Sequence, residues 1–148
     1  MSHSNPLAGA VAWIRKALPE PTEKDLSTQV GVHIEEFAEF LKQLELEEPN
    51  MNEHFKAICE NVHELAIDIK VKGGVVIKDR VQLLGALCDN IQTAASVAHC
   101  AELDLVNGMN EVVDSNFSKF LNGMPLFDQN RKVIKGPDYF KPVLTDYV

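Results

Sequence analysis

The chain has 148 residues, of which 45% are hydrophobic, and this is enough for one domain of ordinary size with an apolar core. Its 14 basic and 22 acidic side chains give a formal charge of −8, which argues against binding to a nucleic-acid backbone. No apolar run approaches the roughly 20 residues that cross a bilayer. The first ten residues also lack the features of a secretory signal, so we expect a cytoplasmic protein without a membrane segment.

Helical periodicity organises the chain up to about residue 121. A short helix is predicted over residues 5–18 and ends at Pro19. Four longer helices are predicted over about 26–46, 51–70, 79–101 and 104–121. In the first three of these, apolar residues recur at alternating steps of three and four, and we expect each apolar stripe to face the core. The stripes are Val30, Ile34, Phe37, Leu41 and Leu44; Phe55, Ile58, Val62, Leu65 and Ile69; and Leu83, Leu87, Ile91, Ala94 and Ala98.

Residues 124–148 form a tail rich in proline and glycine, which predicts irregular structure. Amphipathic helices joined by short links are typical of a helical bundle. The sequence therefore predicts a single all-α domain over residues 1–148, with an N-terminal helix and linker at 1–25 and the tail at its end. The three cysteines, Cys59, Cys88 and Cys100, include no CxxC pair and are expected to be buried, reduced thiols.

Three glutamates lie close together in the first long helix: Glu35, Glu36 and Glu39. Glu36 and Glu39 are i,i+3 neighbours, and Glu35 and Glu39 are i,i+4 neighbours, so all three are expected on one side of the helix. Carboxylates one turn apart can bind one Mg²⁺ ion, which prefers hard oxygen ligands. The alternative is an ordinary solvated acidic face, which the spacing by itself favours.

A further acidic residue, Asp89, lies in the middle of the otherwise apolar helix over 79–101. It falls in a narrow polar stripe with Gln82, Gly85 and Gln92, away from the apolar stripe. Two helices that each carry an apolar stripe and a separate polar stripe are typical of the walls of a polar site in a bundle or between subunits.

These motifs together resemble the all-α nucleoside triphosphate pyrophosphohydrolases, the superfamily of MazG, phosphoribosyl-ATP pyrophosphohydrolase and the dimeric dUTPases. Its members carry Glu-x-x-Glu on one helix and Glu-x-x-Asp on a later one. Glu36-Phe-Ala-Glu39 matches the first motif, and Ala86-Leu-Cys-Asp89 keeps the aspartate of the second. Residues 114–120 and 127–140 are similar to the corresponding segments of phage and bacterial MazG-like proteins, so the resemblance covers about residues 26–144.

The resemblance implies a four-helix-bundle-like MazG fold with an irregular C-terminal tail. It also implies Mg²⁺-dependent hydrolysis of a nucleoside triphosphate to the monophosphate and pyrophosphate, with Mn²⁺ as a substitute ion. The implied metal ligands are Glu36, Glu39 and Asp89, with Glu35 as a further ligand or as the base that orients water. The implied substrate-binding residues are Asn116, Lys119, Lys135 and Tyr139. A homodimer or homotetramer is expected, because such helical units commonly complete a polar site across a subunit interface.

One position departs from the family pattern: Ala86 stands where the family has glutamate and supplies no oxygen ligand. Water or Gln82 would then complete the shell around one ion, or a single metal would support slow turnover. A third alternative is a catalytically degenerate helical module that binds a nucleotide or a protein partner. The sequence leaves these three alternatives open.

Overall fold

The computed structural model describes residues 5–148, and this part of the chain is mainly helical. The helices are α1 (Pro6–Ala17), α2 (Glu23–Leu41), α3 (Pro49–Lys72), α4 (Arg80–Cys100) and α5 (Leu105–Phe117). Two short strands, β1 (Leu126–Phe127) and β2 (Val133–Ile134), form a two-stranded sheet, and a 3₁₀ turn covers Thr145–Tyr147. The all-α prediction is confirmed, whereas the four-helix-bundle arrangement stays a prediction. Within residues 5–148, no helix combines the length and apolar character that a membrane span needs.

Capping side chains explain where the helices begin. Asn5, Asp79 and Asp104 each accept a hydrogen bond from a backbone N–H in the first turn of α1, α4 and α5. Thr22 and Asp25 form a reciprocal capping box, so α2 begins at Glu23, three residues before the predicted start. It ends at Leu41 rather than near residue 46. Its last turn has no basic residue to offset the negative end of the helix dipole.

The chain divides into two compact units. The α1/α4/α5 unit comprises residues up to Pro19, 77–126 and 133–148. The α2/α3 unit comprises residues 20–76 and the hairpin tip 127–132. The sequence predicted one domain over this length.

In the α2/α3 unit, small side chains allow the two helices to pack closely. Thr28, Gly31 and Ala38 are buried on α2, and Cys59 and Ala66 are buried on α3. A Cβ added at Gly31 would lie 2.9 Å from the carbonyl oxygen of Ala66, so only glycine fits without a shift.

The apolar stripe predicted for α2 is only partly covered: Val30, Ile34 and Leu41 are half-buried, whereas Phe37 is 48% exposed and Leu44, beyond the end of the helix, is 45% exposed. On α3, Ile58 and Leu65 are likewise exposed. A helical period identifies an apolar stripe, but it does not identify what covers that stripe. Close packing through small residues selects a different face of each helix.

In the α1/α4/α5 unit, α1 packs on α5 around an aromatic cluster and the fully buried Val113. Trp13 stacks on Phe120 with ring centroids 6.0 Å apart, and Phe117 meets Phe120 edge to face at the same distance. By contrast, Ala98 is the single buried residue of α4. The prediction that the α4 stripe faces the core is therefore wrong for most of its length.

The three cysteines differ in their exposure to solvent. Cys59 on α3 is buried, as predicted, whereas Cys88 and Cys100 are exposed. The prediction failed for these two because both lie on α4, whose side chains are largely uncovered.

Candidate functional site

The acidic face of α2 presents two exposed carboxylates on successive turns, those of Glu36 and Glu39. Lys42 Nζ donates to Glu39 Oε1 at 2.7 Å, and the two side chains are 43% and 50% exposed. An exposed ion pair contributes only about 0–1 kcal/mol, so a divalent cation could displace this lysine readily. Phe37 and Phe40, with ring centroids 5.9 Å apart, are also exposed and border the acidic pair with apolar surface.

Glu35 has a different environment from the other two glutamates, although the sequence placed all three on one side. Its side chain is only 20% exposed and bridges two lysines. Lys70 of α3 contacts Oε1 at 2.7 Å, and Lys132 of the hairpin tip contacts Oε2 at 2.7 Å. Both carboxylate oxygens are therefore engaged, and the contacts join α2, α3 and the hairpin tip.

Burial by itself would raise the pKa of Glu35, but the hydrogen bonds from Lys132 and Lys70 outweigh that effect and lower it. A carboxylate with a lowered pKa is a weaker proton acceptor. In this geometry Glu35 is suited to holding α2 in place. The resemblance also allows Glu35 to act as the base that orients water. That role requires the ion pairs of Glu35 with Lys70 and Lys132 to break.

A second ion pair fixes the start of α2 to the hairpin tip. The fully buried carboxylate of Asp25 accepts hydrogen bonds from Arg131, at 2.6 Å to Nε and 3.3 Å to Nη2. The hydrogen bond from Arg131 is the largest cause that lowers the pKa of Asp25 to about 2; burial opposes it, and bonds from Thr22 assist. Arg131 has a φ of 63°, a left-handed conformation that this turn imposes on a non-glycine residue.

The two ion pairs were not predicted from the sequence, although Glu35 itself was singled out, because 106 residues separate Asp25 from Arg131 and 97 separate Glu35 from Lys132. One local pattern was present: Thr22 and Asp25 have the spacing of a capping box. That pattern predicts a helix start and does not reveal the arginine.

In the α1/α4/α5 unit, the structure joins the two C-terminal segments on which the resemblance relied. Gly136 N donates to the carbonyl oxygen of Lys119 at 3.0 Å. Ser115 Oγ donates to Phe140 O at 2.8 Å, and Phe140 N donates to Ser118 Oγ at 3.1 Å. A Cβ at Gly136 would lie 2.6 Å from that same lysine oxygen, so glycine is needed for the approach.

The predicted substrate-binding side chains of this unit occur as two contacting pairs. Lys119 Nζ donates to Asn116 Oδ1 at 2.6 Å, and Lys135 Nζ lies 4.7 Å from the ring centroid of Tyr139. Trp13, which the sequence did not single out, supports the first pair. Its indole N–H donates to Asn116 O at 2.8 Å, and Lys119 Nζ lies 5.6 Å from its ring centroid.

Asp89 lies in the middle of α4 with an exposed side chain. It belongs to the α1/α4/α5 unit, whereas Glu36 and Glu39 belong to the α2/α3 unit. The convergence of these three carboxylates on one ion therefore stays a prediction. Among the side chains of residues 5–148, no three His, Cys, Asp or Glu are grouped so that they could hold a metal ion.

In comparisons with known proteins, this chain matches no protein-family model, no curated protein and no solved structure. The family relationship is therefore a resemblance of motifs.

Proposed function

We propose that this protein is a MazG-like, Mg²⁺-dependent nucleoside triphosphate pyrophosphohydrolase. The observation that carries the proposal is the exposed pair Glu36 and Glu39, one turn apart on a helix that ion pairs anchor at Asp25 and Glu35. In the reaction, water adds to the nucleoside triphosphate and the bond between the α- and β-phosphates breaks. The products are a nucleoside monophosphate and pyrophosphate.

The exposed carboxylates suit part of a Mg²⁺ shell, because this ion usually takes one or two protein carboxylates and completes its octahedron with water and substrate phosphates. Glu36 and Glu39 would hold the ion, and Asp89 would be the third protein ligand. Bound Mg²⁺ would neutralise phosphate charge and favour ionisation of the attacking water. With Ala86 in place of a glutamate, the chain offers fewer carboxylates than the family pattern.

The role of Glu35 in this proposal is positional. Its bridge to Lys70 and Lys132 fixes the helix face that carries Glu36 and Glu39. A site held by rigid elements keeps reacting groups aligned, which is a large part of catalysis in phosphate chemistry.

The pairs Asn116–Lys119 and Lys135–Tyr139 would bind the nucleotide. The two ammonium groups would attract the triphosphate, the amide would hydrogen-bond it, and the tyrosine ring offers a surface for a base. The protein would act in the cytoplasm as a homodimer or homotetramer, with Mn²⁺ able to replace Mg²⁺.

Release of pyrophosphate from a panel of standard and modified nucleoside triphosphates, with Mg²⁺ or Mn²⁺, tests the proposal. We expect turnover of at least one substrate by the wild-type protein. Glu36→Gln, Glu39→Gln and Asp89→Asn should each abolish turnover while leaving the helical circular dichroism unchanged. Glu64→Gln, which alters an exposed glutamate of α3, is the matched control and should keep full activity. A fully active Glu39→Gln variant, or no turnover of any substrate, would contradict the proposal.

Ala86 and the uncovered apolar residues of α4 favour a second candidate, a helical nucleotide-binding or interaction module without catalysis. Ligand binding raises the apparent unfolding temperature. A thermal shift with Mg²⁺ and nucleotide, without any pyrophosphate release, would identify this candidate.

A further inference from the structure

Helix α4 exposes an apolar face along most of its length. Every residue from Arg80 to Ala94 is exposed. Leu84, Leu87, Ile91 and Val97 retain 64%, 41%, 52% and 48% of their accessible surface. Large apolar side chains left in contiguous contact with water mark an interaction surface more often than a solvated one.

The uncovered residues form one stripe, here called the α4 face: Leu84, Leu87, Ile91, Ala94 and Val97. They follow at steps of three, four, three and three, which places them on one side of a helix. The polar stripe with Gln82, Asp89 and Gln92 lies on the other side. A partner on the α4 face would therefore leave Asp89 accessible.

We infer that the α4 face binds the α4 face of a second copy of this chain, with the two helices antiparallel about a two-fold axis near Ile91. The face itself carries no charged residue, although the chain has a net charge of −8. Two copies can therefore meet there without placing like charges against each other. A two-fold contact of this kind uses the same patch on both copies.

The charges at the ends of the helix select the antiparallel direction. Lys78 and Arg80 flank its start, and Glu102 follows its end. The aspartates at the two ends, Asp79 and Asp104, are both engaged as helix caps. In an antiparallel pair the basic start of one helix lies beside the acidic end of the other, and the helix dipoles are also opposed.

The sizes of the side chains also favour the antiparallel arrangement. With Ile91 at the centre, Leu87 of one copy faces Ala94 of the other, and Leu84 faces Val97. A large residue opposite a small one allows helices to interdigitate closely. A parallel pair would instead place each leucine against its own counterpart.

Molar mass in solution, measured by light scattering after size exclusion, tests the association. We expect at least twice the 16.5 kDa of the chain. Ile91→Glu should at least halve the measured mass with helical content retained, because the residue is exposed in the single chain. Gln92→Glu adds the same charge on the polar side and should leave the mass unchanged. A wild-type mass of one chain, or an Ile91→Glu variant at the wild-type mass, would overturn the inference.

Cysteine cross-linking tests the direction, in a background where Cys88 and Cys100 are replaced by serine. Mild oxidation with diamide should join two copies of Ile91→Cys. Leu84→Cys should not cross-link, because its counterpart lies about 20 Å away along the axis, well beyond the roughly 7 Å that a disulfide spans. Equal cross-linking of both variants would overturn the antiparallel register.

This inference rests on one part of the proposed function, the expectation that the protein forms a homodimer or homotetramer. Mass and cross-linking do not depend on turnover. A monomer therefore refutes the inference, whereas an inactive dimer refutes the hydrolase proposal alone.

Discussion

The substitution Gly31→Ala tests the close approach of α2 and α3, on which the position of Glu35 depends. The new Cβ would lie 2.5 Å from Lys70 Cγ and 2.9 Å from the carbonyl oxygen of Ala66. The lysine side chain could move away, but its ion pair with Glu35 would then weaken. The backbone oxygen of Ala66 can move only if α3 moves.

Two opposing terms set the magnitude. Alanine is better than glycine inside a helix by about 1 kcal/mol, whereas overpacking of a tight contact costs about 1–3 kcal/mol. Weakening of the Lys70–Glu35 pair adds up to about 1 kcal/mol. These terms sum to a loss of about 0–3 kcal/mol, and we expect Gly31→Ala to lower the free energy of unfolding by about 1–2 kcal/mol, the middle of that range, against the trend of helix propensity.

Urea unfolding followed by circular dichroism measures this change. The matched control is Gly85→Ala in α4, where a Cβ would meet no atom within 4 Å. That variant should be as stable as the wild type or more stable, by up to about 1 kcal/mol. A Gly31→Ala variant at least as stable as the wild type would refute the close packing of α2 on α3.

Two further predictions concern the Asp25–Arg131 ion pair and the Asn116–Lys119 pair, which Trp13 contacts. The pKa of Asp25 is lowered from 3.8 to about 2, so its stabilising contribution is complete above about pH 4 and is lost as the pH falls toward about 2. Arg131→Met should flatten this acid loss in urea titrations between pH 2 and pH 5, and an unchanged slope would exclude the ion pair as its cause. Trp13 is the sole tryptophan, so its emission should change when a nucleotide binds at Lys119, and Lys119→Met should reduce the response. Unchanged Trp13 emission at nucleotide concentrations that support turnover would place the nucleotide elsewhere.

The sequence was informative where local physics decides the outcome. Helix boundaries follow from caps, prolines and glycines, so the predicted helices lie close to the observed ones. The bounds of α2 were the least accurate: the capping box of Thr22 and Asp25 starts this helix three residues earlier than predicted, and it ends at Leu41 rather than near residue 46. All-α character followed from the same local signals.

Packing partners could not be deduced from one chain. The helical period of α4 is clear, but Leu87 and Ile91 are exposed because no element of their own unit covers them. The helical spacing placed Glu35 on the same side as Glu39. Lys70 and Lys132, both distant in sequence, nevertheless pair with Glu35 and give it a different environment. Periodicity specifies the face on which a side chain lies, and only the tertiary structure specifies its neighbours.

Binding of Mn²⁺, followed by the loss of its free-ion signal in electron paramagnetic resonance, tests most directly whether Glu36 and Glu39 hold a divalent cation. The double variant Glu36→Gln/Glu39→Gln should lose the tightest binding that the wild-type protein shows. The double variant Glu60→Gln/Glu64→Gln, which removes the same charge from the exposed side of α3, should retain it. Equal Mn²⁺ binding by both double variants would mean that the ion follows the overall negative charge, and the proposed metal site would be wrong.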